Sequence, residues 1–192
     1  MRELVERGQS PDVLVIACAD SRIDPALLFD SEPGELFVVR NVANLIPPFG
    51  PDGNPHGTSA AMEFAVRDLG VCHVVILGHS ACGGIRALRV TSAGEELPRD
   101  FIEPWMQIAA DACPCDADGN VPDQETVEHS SIRVSLRNLM TFPWIAEKVG
   151  AGDLFLHGWW VDLHAGRLCS IDPEGDGVTE LVAGETTINV AD

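Results

Sequence analysis

Three uninterrupted apolar runs constrain this chain more than anything else in it: Val13-Leu14-Val15-Ile16-Ala17, Leu36-Phe37-Val38-Val39 and Val74-Val75-Ile76-Leu77. Each has the length of a strand and no polar alternation. Strands read this way when both faces are covered, as in a parallel sheet. Between the second and third runs, Ala61, Met62, Ala65, Val66 and Leu69 recur at three- and four-residue spacing, which predicts a helix over Thr58 to Leu69. Thr58 or Ser59 is placed to cap it and Gly70 to end it. Further helices are expected from Gly84 to Val90, Ile102 to Ala112, Glu125 to Met140 and Pro143 to Gly150. Two late strands are expected at Leu154 to Trp160 and Leu168 to Ile171, with a turn at His164-Ala165-Gly166. This alternation predicts an α/β fold, a mainly parallel central sheet flanked by helices. The 192 residues suit one domain spanning 1–192, with 47–55 and 113–122 as internal loops.

Charge narrows the partners. The chain carries 30 acidic and 12 basic residues, for a formal charge of −18. Nucleic-acid binding needs clustered bases to displace counterions from phosphates, and so does docking on an anionic membrane. Neither is expected. No apolar run is long enough to span a bilayer, and the N-terminal residues lack an apolar signal core, so a cytoplasmic location is expected. Six cysteines without a secretory context read as free thiols or metal ligands.

The chemistry gathers just past two strand ends. The first run leads into Cys18-Ala19-Asp20-Ser21-Arg22 and the third into Gly78-His79-Ser80-Ala81-Cys82-Gly83-Gly84. Ligand sites of open α/β sheets form at the carboxyl ends of neighbouring strands. Two thiolates and an imidazole make a three-donor zinc set with a fourth tetrahedral position left for water, the catalytic pattern. Taken singly, each residue has a plainer reading. A cysteine is commonly a small buried hydrophobe, an Asp-x-Arg pair a salt bridge and a Gly-Gly a tight turn. Together they favour a metal site.

These blocks resemble the β-class carbonic anhydrases. The resemblance runs through Cys18–Arg22, Gly34–Pro48, His56–Val66 and Gly78–Ile85, and more weakly through Ser135–Ile145 and His157–Leu168. It covers nearly the whole chain, and the plant-type branch looks most similar. It implies a β-carbonic-anhydrase-like fold and a zinc enzyme, a carbonate dehydratase, that hydrates carbon dioxide reversibly by zinc-bound hydroxide attack. By the resemblance Cys18, His79 and Cys82 are the Zn2+ ligands, and Asp20 and Arg22 form the catalytic dyad. Arg22 would hold Asp20 ionised and in place. The substrate pocket for carbon dioxide and bicarbonate would include Gln9, Phe37, Val42, Phe64 and the backbone at Gly83. Phe37, Val42 and Phe64 also read as plain core residues.

The resemblance further implies a homodimer at minimum, with a tetramer or larger assembly possible. The family carries an N-terminal helical arm, and Met1 stands only a few residues before Gly8-Gln9, so the arm is expected to be short or missing. Phe64 stands where the plant-type pattern has tyrosine. His56, His73, His129, His157 and His164 include candidate proton shuttles, and none stands out. Two other functions remain open on the sequence alone: a hydrolase of carbonyl sulfide or carbon disulfide on the same centre, and a non-catalytic zinc-binding regulatory protein.

Overall fold

The apolar runs become the strands of one six-stranded sheet in the order β2-β1-β3-β4-β5-β6. The computed structural model describes residues 2–182. A short helix α1 (Arg2–Arg7) precedes β1 (Val13–Cys18), and one turn of helix, α2 (Pro25–Leu28), leads to β2 (Leu36–Asn41). Helix α3 (Gly57–Glu63) continues as a π turn over Phe64–Leu69 and delivers the chain to β3 (His73–His79). Three helices follow, α4 (Gly83–Ser92), α5 (Ile102–Met106) and α6 (Gln124–Leu139), with a 3-10 stretch at Gln107–Ala112 after α5. Helix α7 (Pro143–Ala151) precedes β4 (Phe155–Asp162), β5 (Arg167–Ile171) and β6 (Val178–Glu180). β2, β1, β3 and β4 pair in parallel, and β5 and β6 add on antiparallel. β1 and β3 carry continuous apolar runs because both of their faces are packed, whereas β2, at the sheet edge, leaves Val38 exposed despite its apolar run.

One face meets the helices. Leu14, Ile16, Val74 and Ile76 pack there against Met62 and Val66 of the α3 segment, Ile132, Leu136 and Leu139 of α6, and Ile145 of α7. The other face carries Val15, Ala17, Val75, Leu77 and Val161, with Ile23 and Phe29 against them. Gly78 and Gly158 let α6 ride close over the sheet. A Cβ at either position would meet Ile132 side-chain atoms at 2.8 and 2.7 Å, closer than van der Waals contact allows.

Two local expectations are corrected. The long helix before β3 is not capped by Thr58 or Ser59. His56 occupies the N-cap without a side-chain bond, and the Thr58 hydroxyl instead accepts from Asn41 Nδ2 at 3.3 Å. The stretch from Ile102 to Ala112 is α-helical only to Met106, and Ala109 inside the 3-10 part leaves helical geometry. The short α2 and the edge strand β6 fall below the length at which periodicity speaks. In α2, capping by Asp24, which accepts from Ala26 and Leu27 N–H, makes up for that. Among the described residues no helix is long and apolar enough to cross a membrane.

Candidate metal centre

β1 and β3 end side by side, and their last residues are Cys18 and His79. Cys82 follows three residues later as the N-cap of α4. The thiol of Cys18 lies 3.9 Å from that of Cys82. One donor atom from each of Cys18, His79 and Cys82 falls within 4.8 Å of the others, and all three residues are buried. His79 Nδ1 sits 2.9 Å from the Ser80 carbonyl and donates to it. That bond fixes the tautomer and leaves Nε2 with a lone pair and no partner, although it is buried. An orphaned imidazole nitrogen beside two thiols is unfavourable unless a cation completes it. Sulfur and imidazole donors in this number suit zinc.

The thiols are poised for metal. The Cys18 thiol is lowered to about 4, first by its hydrogen bond with Cys82 and further by His79 and the backbone N–H groups of Asp20 and Ala43. Cys82 is pushed up by the same bond, by burial and by the Cys18 charge, although the N–H groups of Gly84 and Ile85 at the start of α4 pull the other way. The first proton therefore leaves the pair easily, and the second leaves only against the first thiolate. A divalent cation removes that repulsion. Burial disfavours charging His79, but the neighbouring Cys18 thiolate outweighs burial and pushes its pKa up.

Asp20 stands beside this group, with Oδ2 3.9 Å from His79 Nε2. Arg22 grips it twice, Nε donating to Oδ1 at 2.9 Å and Nη2 to Oδ2 at 2.6 Å, while Nη2 also reaches the Ala81 carbonyl at 3.1 Å. The Arg22 hydrogen bonds hold the Asp20 carboxyl far below the usual carboxylate range.

Backbone shape supports the site. Three of the non-glycine residues with left-handed φ, namely Ala43, Asn44 and Ala81, surround the centre. Strained conformations of this kind persist where neighbours dictate them. Asn41 enforces the Val42–Asn44 turn, since its side chain both donates to and accepts from the Leu45 backbone at 2.9 Å. Gly84 is needed opposite, because a Cβ there would lie 2.9 Å from Ala43 Cβ and Val42 Cγ1.

Motif reading missed two supports. Arg40 of β2 donates to the carbonyls of Cys18, Asp20 and Ile23 at 3.0, 2.6 and 2.7 Å. Glu128 of α6 is buried, and its Oε1 accepts from the Cys82 N–H at 2.9 Å and from Gln124 Nε2 at 2.7 Å. Gln124 Nε2 also donates to the Cys82 carbonyl at 3.0 Å, and Trp160 Nε1 donates to Glu128 Oε2 at 3.2 Å. Burial raises the Glu128 pKa against these bonds. One signal for Glu128 was in the sequence: with Ile132, Ser135 and Leu139 it falls on a single helical stripe, and a carboxylate on an apolar stripe needs a partner.

The five pocket residues are less closely gathered. The rings of Phe37 and Phe64 meet with centroids 6.0 Å apart. Val42 lines a cavity of about 520 Å³ together with Asn41, Thr58, Ile102 and Trp105. Gly83 opens α4 beside Cys82. Gln9 is exposed between α1 and β1 and makes no hydrogen bond among the described residues.

A family model described as carbonic anhydrase matches residues 13–168. "Beta carbonic anhydrase 5, chloroplastic" of Arabidopsis thaliana is 39% identical over 189 residues, a match that covers 89% of this chain. The chain spans 61% of that plant protein's length. Among solved structures, the β-carbonic anhydrase CcaA superposes with a TM-score of 0.77 at 32% identity, over 94% of this chain and 88% of that one. A tetrameric β-carbonic anhydrase of the ascomycete Sordaria macrospora follows at a TM-score of 0.71 and 27% identity, over 89% and 85% of the two chains.

Proposed function

This chain belongs to the β class of carbonic anhydrases, and from that premise we propose that it is a zinc enzyme interconverting carbon dioxide and bicarbonate. The observation that carries the proposal is the Cys18, His79 and Cys82 donor group with an ionised, Arg22-clamped Asp20 at its edge. Cys18, His79 and Cys82 would hold the ion, which when bound supplies the Lewis acidity that makes water a nucleophile near neutral pH, an effect whose standard example is itself a carbonic anhydrase with histidine ligands only.

The remaining roles fall to the chain. Asp20 is acceptor only, because Arg22 keeps it ionised, so Oδ2 takes a hydrogen bond from a water at the centre and turns a lone pair towards substrate. Arg22 fixes the carboxylate in the plane of its two N–H donors. Arg40 and Glu128 hold the two ligand-bearing turns by their peptides. Gln9, Phe37, Val42, Phe64 and the Gly83 backbone would form the pocket for a small, mostly apolar substrate, with Gln9 binding an oxygen. Self-association, as in the tetrameric relative, belongs to the same proposal.

Stopped-flow CO2 hydration with a pH indicator tests it. Zinc-loaded protein should accelerate the reaction, and chelated protein should not. Absence of acceleration over buffer by the loaded protein overturns the reading. Asp20→Asn should lower kcat/KM by roughly 10²-fold or more with zinc content unchanged; full activity in that variant would remove Asp20 from its role.

A further inference from the structure

Trp105 of α5 is half-buried, and its indole N–H finds a partner 63 residues away: Nε1 donates to the Val42 carbonyl at 2.8 Å. An indole out of water usually secures some acceptor, so the bond alone says little. What singles it out is the peptide it grips. The N–H of that same peptide belongs to Ala43, and it donates to the Cys18 thiol. The carbonyl and N–H of a trans peptide point in opposite directions. The unit between Val42 and Ala43 therefore has Trp105 on one side and the metal centre on the other.

This peptide needs holding. Ala43 is fully buried with φ at +63°, and Asn44 follows at +49°. Conformations of this kind are kept by neighbours. The other backbone N–H that reaches Cys18 comes from Asp20, two residues along the same turn, whereas Ala43 is delivered from a separate loop. Asn41 ties that loop to the Leu45 backbone, and Gly84 leaves room for Val42 Cγ1 and Ala43 Cβ. Trp105 is the side chain that grips the peptide itself.

We infer that Trp105 is a positioning residue of the metal centre: through the Val42–Ala43 peptide it aims the Ala43 N–H at Cys18 and sets how strongly that thiolate donates to a bound cation. The inference rests on the zinc reading above and adds a residue outside its ligands and its Asp20–Arg22 pair. The indole bond acts in two ways. It fixes the peptide plane, which keeps the N–H on the sulfur. It also draws electron density to the Val42 oxygen, which makes the N–H a better donor, because hydrogen bonds in a chain polarise one another. A thiolate that accepts a stronger hydrogen bond gives less charge to the ion, which then keeps more of its Lewis acidity. The Trp105 ring also walls the cavity beside Val42, so the N–H must be tested apart from the bulk of the ring.

The test replaces zinc by Co2+, whose sulfur-to-metal charge-transfer band reports thiolate donation without a turnover assay. Trp105→Phe keeps an aromatic ring and loses the donor. Trp105→benzothienylalanine keeps the two-ring shape and loses only the N–H. Both should move the band to longer wavelength, leave the Ala43 amide less protected from deuterium exchange, and weaken zinc binding roughly tenfold or more in a chelator competition. Ile102→Ala thins the wall of the same cavity but leaves the indole bond. It should lower the melting temperature with the band unmoved. An unmoved band in the Trp105→benzothienylalanine protein overturns the inference, and so does an equal shift in Ile102→Ala. Absence of any thiolate band from the unmodified, Co2+-treated protein overturns the metal reading itself and this inference with it.

Discussion

Arg40 directs its guanidinium at three carbonyls of the loop that carries Cys18 and Asp20. Lysine keeps the charge but cannot reproduce the fork. Arg40→Lys should therefore weaken zinc binding in a chelator competition, and Arg40→Ala should weaken it more and lower stability by about 1–3 kcal/mol in urea unfolding. Glu128→Ala leaves the buried Cys82 and Trp160 donors unpaired, and a loss of about 1–3 kcal/mol is expected there too. The donors Cys18, His79 and Cys82 were legible because apolar runs locate strand ends and strand ends locate ligands. Arg40 was not legible, because nothing in its neighbourhood says that its donors will meet carbonyls 17 to 22 residues earlier in the chain. Two histidines add a pH dependence. Burial is the first cause lowering the folded-state pKa of both His129 and His157. The unfolded chain therefore binds protons at these residues before the folded one does, and stability falls as pH drops below about 6.5. The melting temperature of zinc-loaded protein should decline from about pH 7.5 to 5.5, and His129→Gln should flatten part of the decline.

At the scale of elements, α6 does the most. Its buried face carries Glu128 on the Cys82 turn and Ile132 between Gly78 and Gly158. It also brings Ser135 against the Asn44 carbonyl, and Asn138 donates to Ile46. Gly158→Ala forces the helix off the sheet at its tightest point, and about 1–3 kcal/mol of destabilisation is expected, with weaker zinc retention as the helix carries Glu128 away. Differential scanning and metal counting on one sample check both. The helix itself was readable from its apolar spacing and is capped by Asp123, which accepts from Thr126 N–H. Its contacts were not readable, because they join residues some ninety positions apart. The misplaced cap of α3 has a similar cause. A threonine before a helix suits capping by local rules, but here a tertiary partner, Asn41, takes the hydroxyl.

For the molecule as a whole, the −18 charge is poorly neutralised from within. Arg22, Arg67 and Arg167 pair with acids, but Arg40, Arg89 and Arg133 turn to backbone carbonyls. With 30 acidic against 12 basic residues, repulsion outweighs attraction among the surface charges, and screening relieves it. Added monovalent salt should raise the melting temperature; a flat or falling curve would show that the surface repulsion is negligible. The order of the chain bears on how such a protein is made. All three donors of the metal centre lie within the first 82 residues, whereas the side chains that grip the Cys82 peptide belong to Gln124 and Glu128. Synthesis proceeds from the N-terminus, so a growing chain presents its thiols and imidazole well before the helix that steadies them exists. If the centre holds zinc as proposed, secure capture of the ion would wait for the emergence of α6, and the interval before it would leave Cys18 and Cys82 most open to oxidants and competing metals.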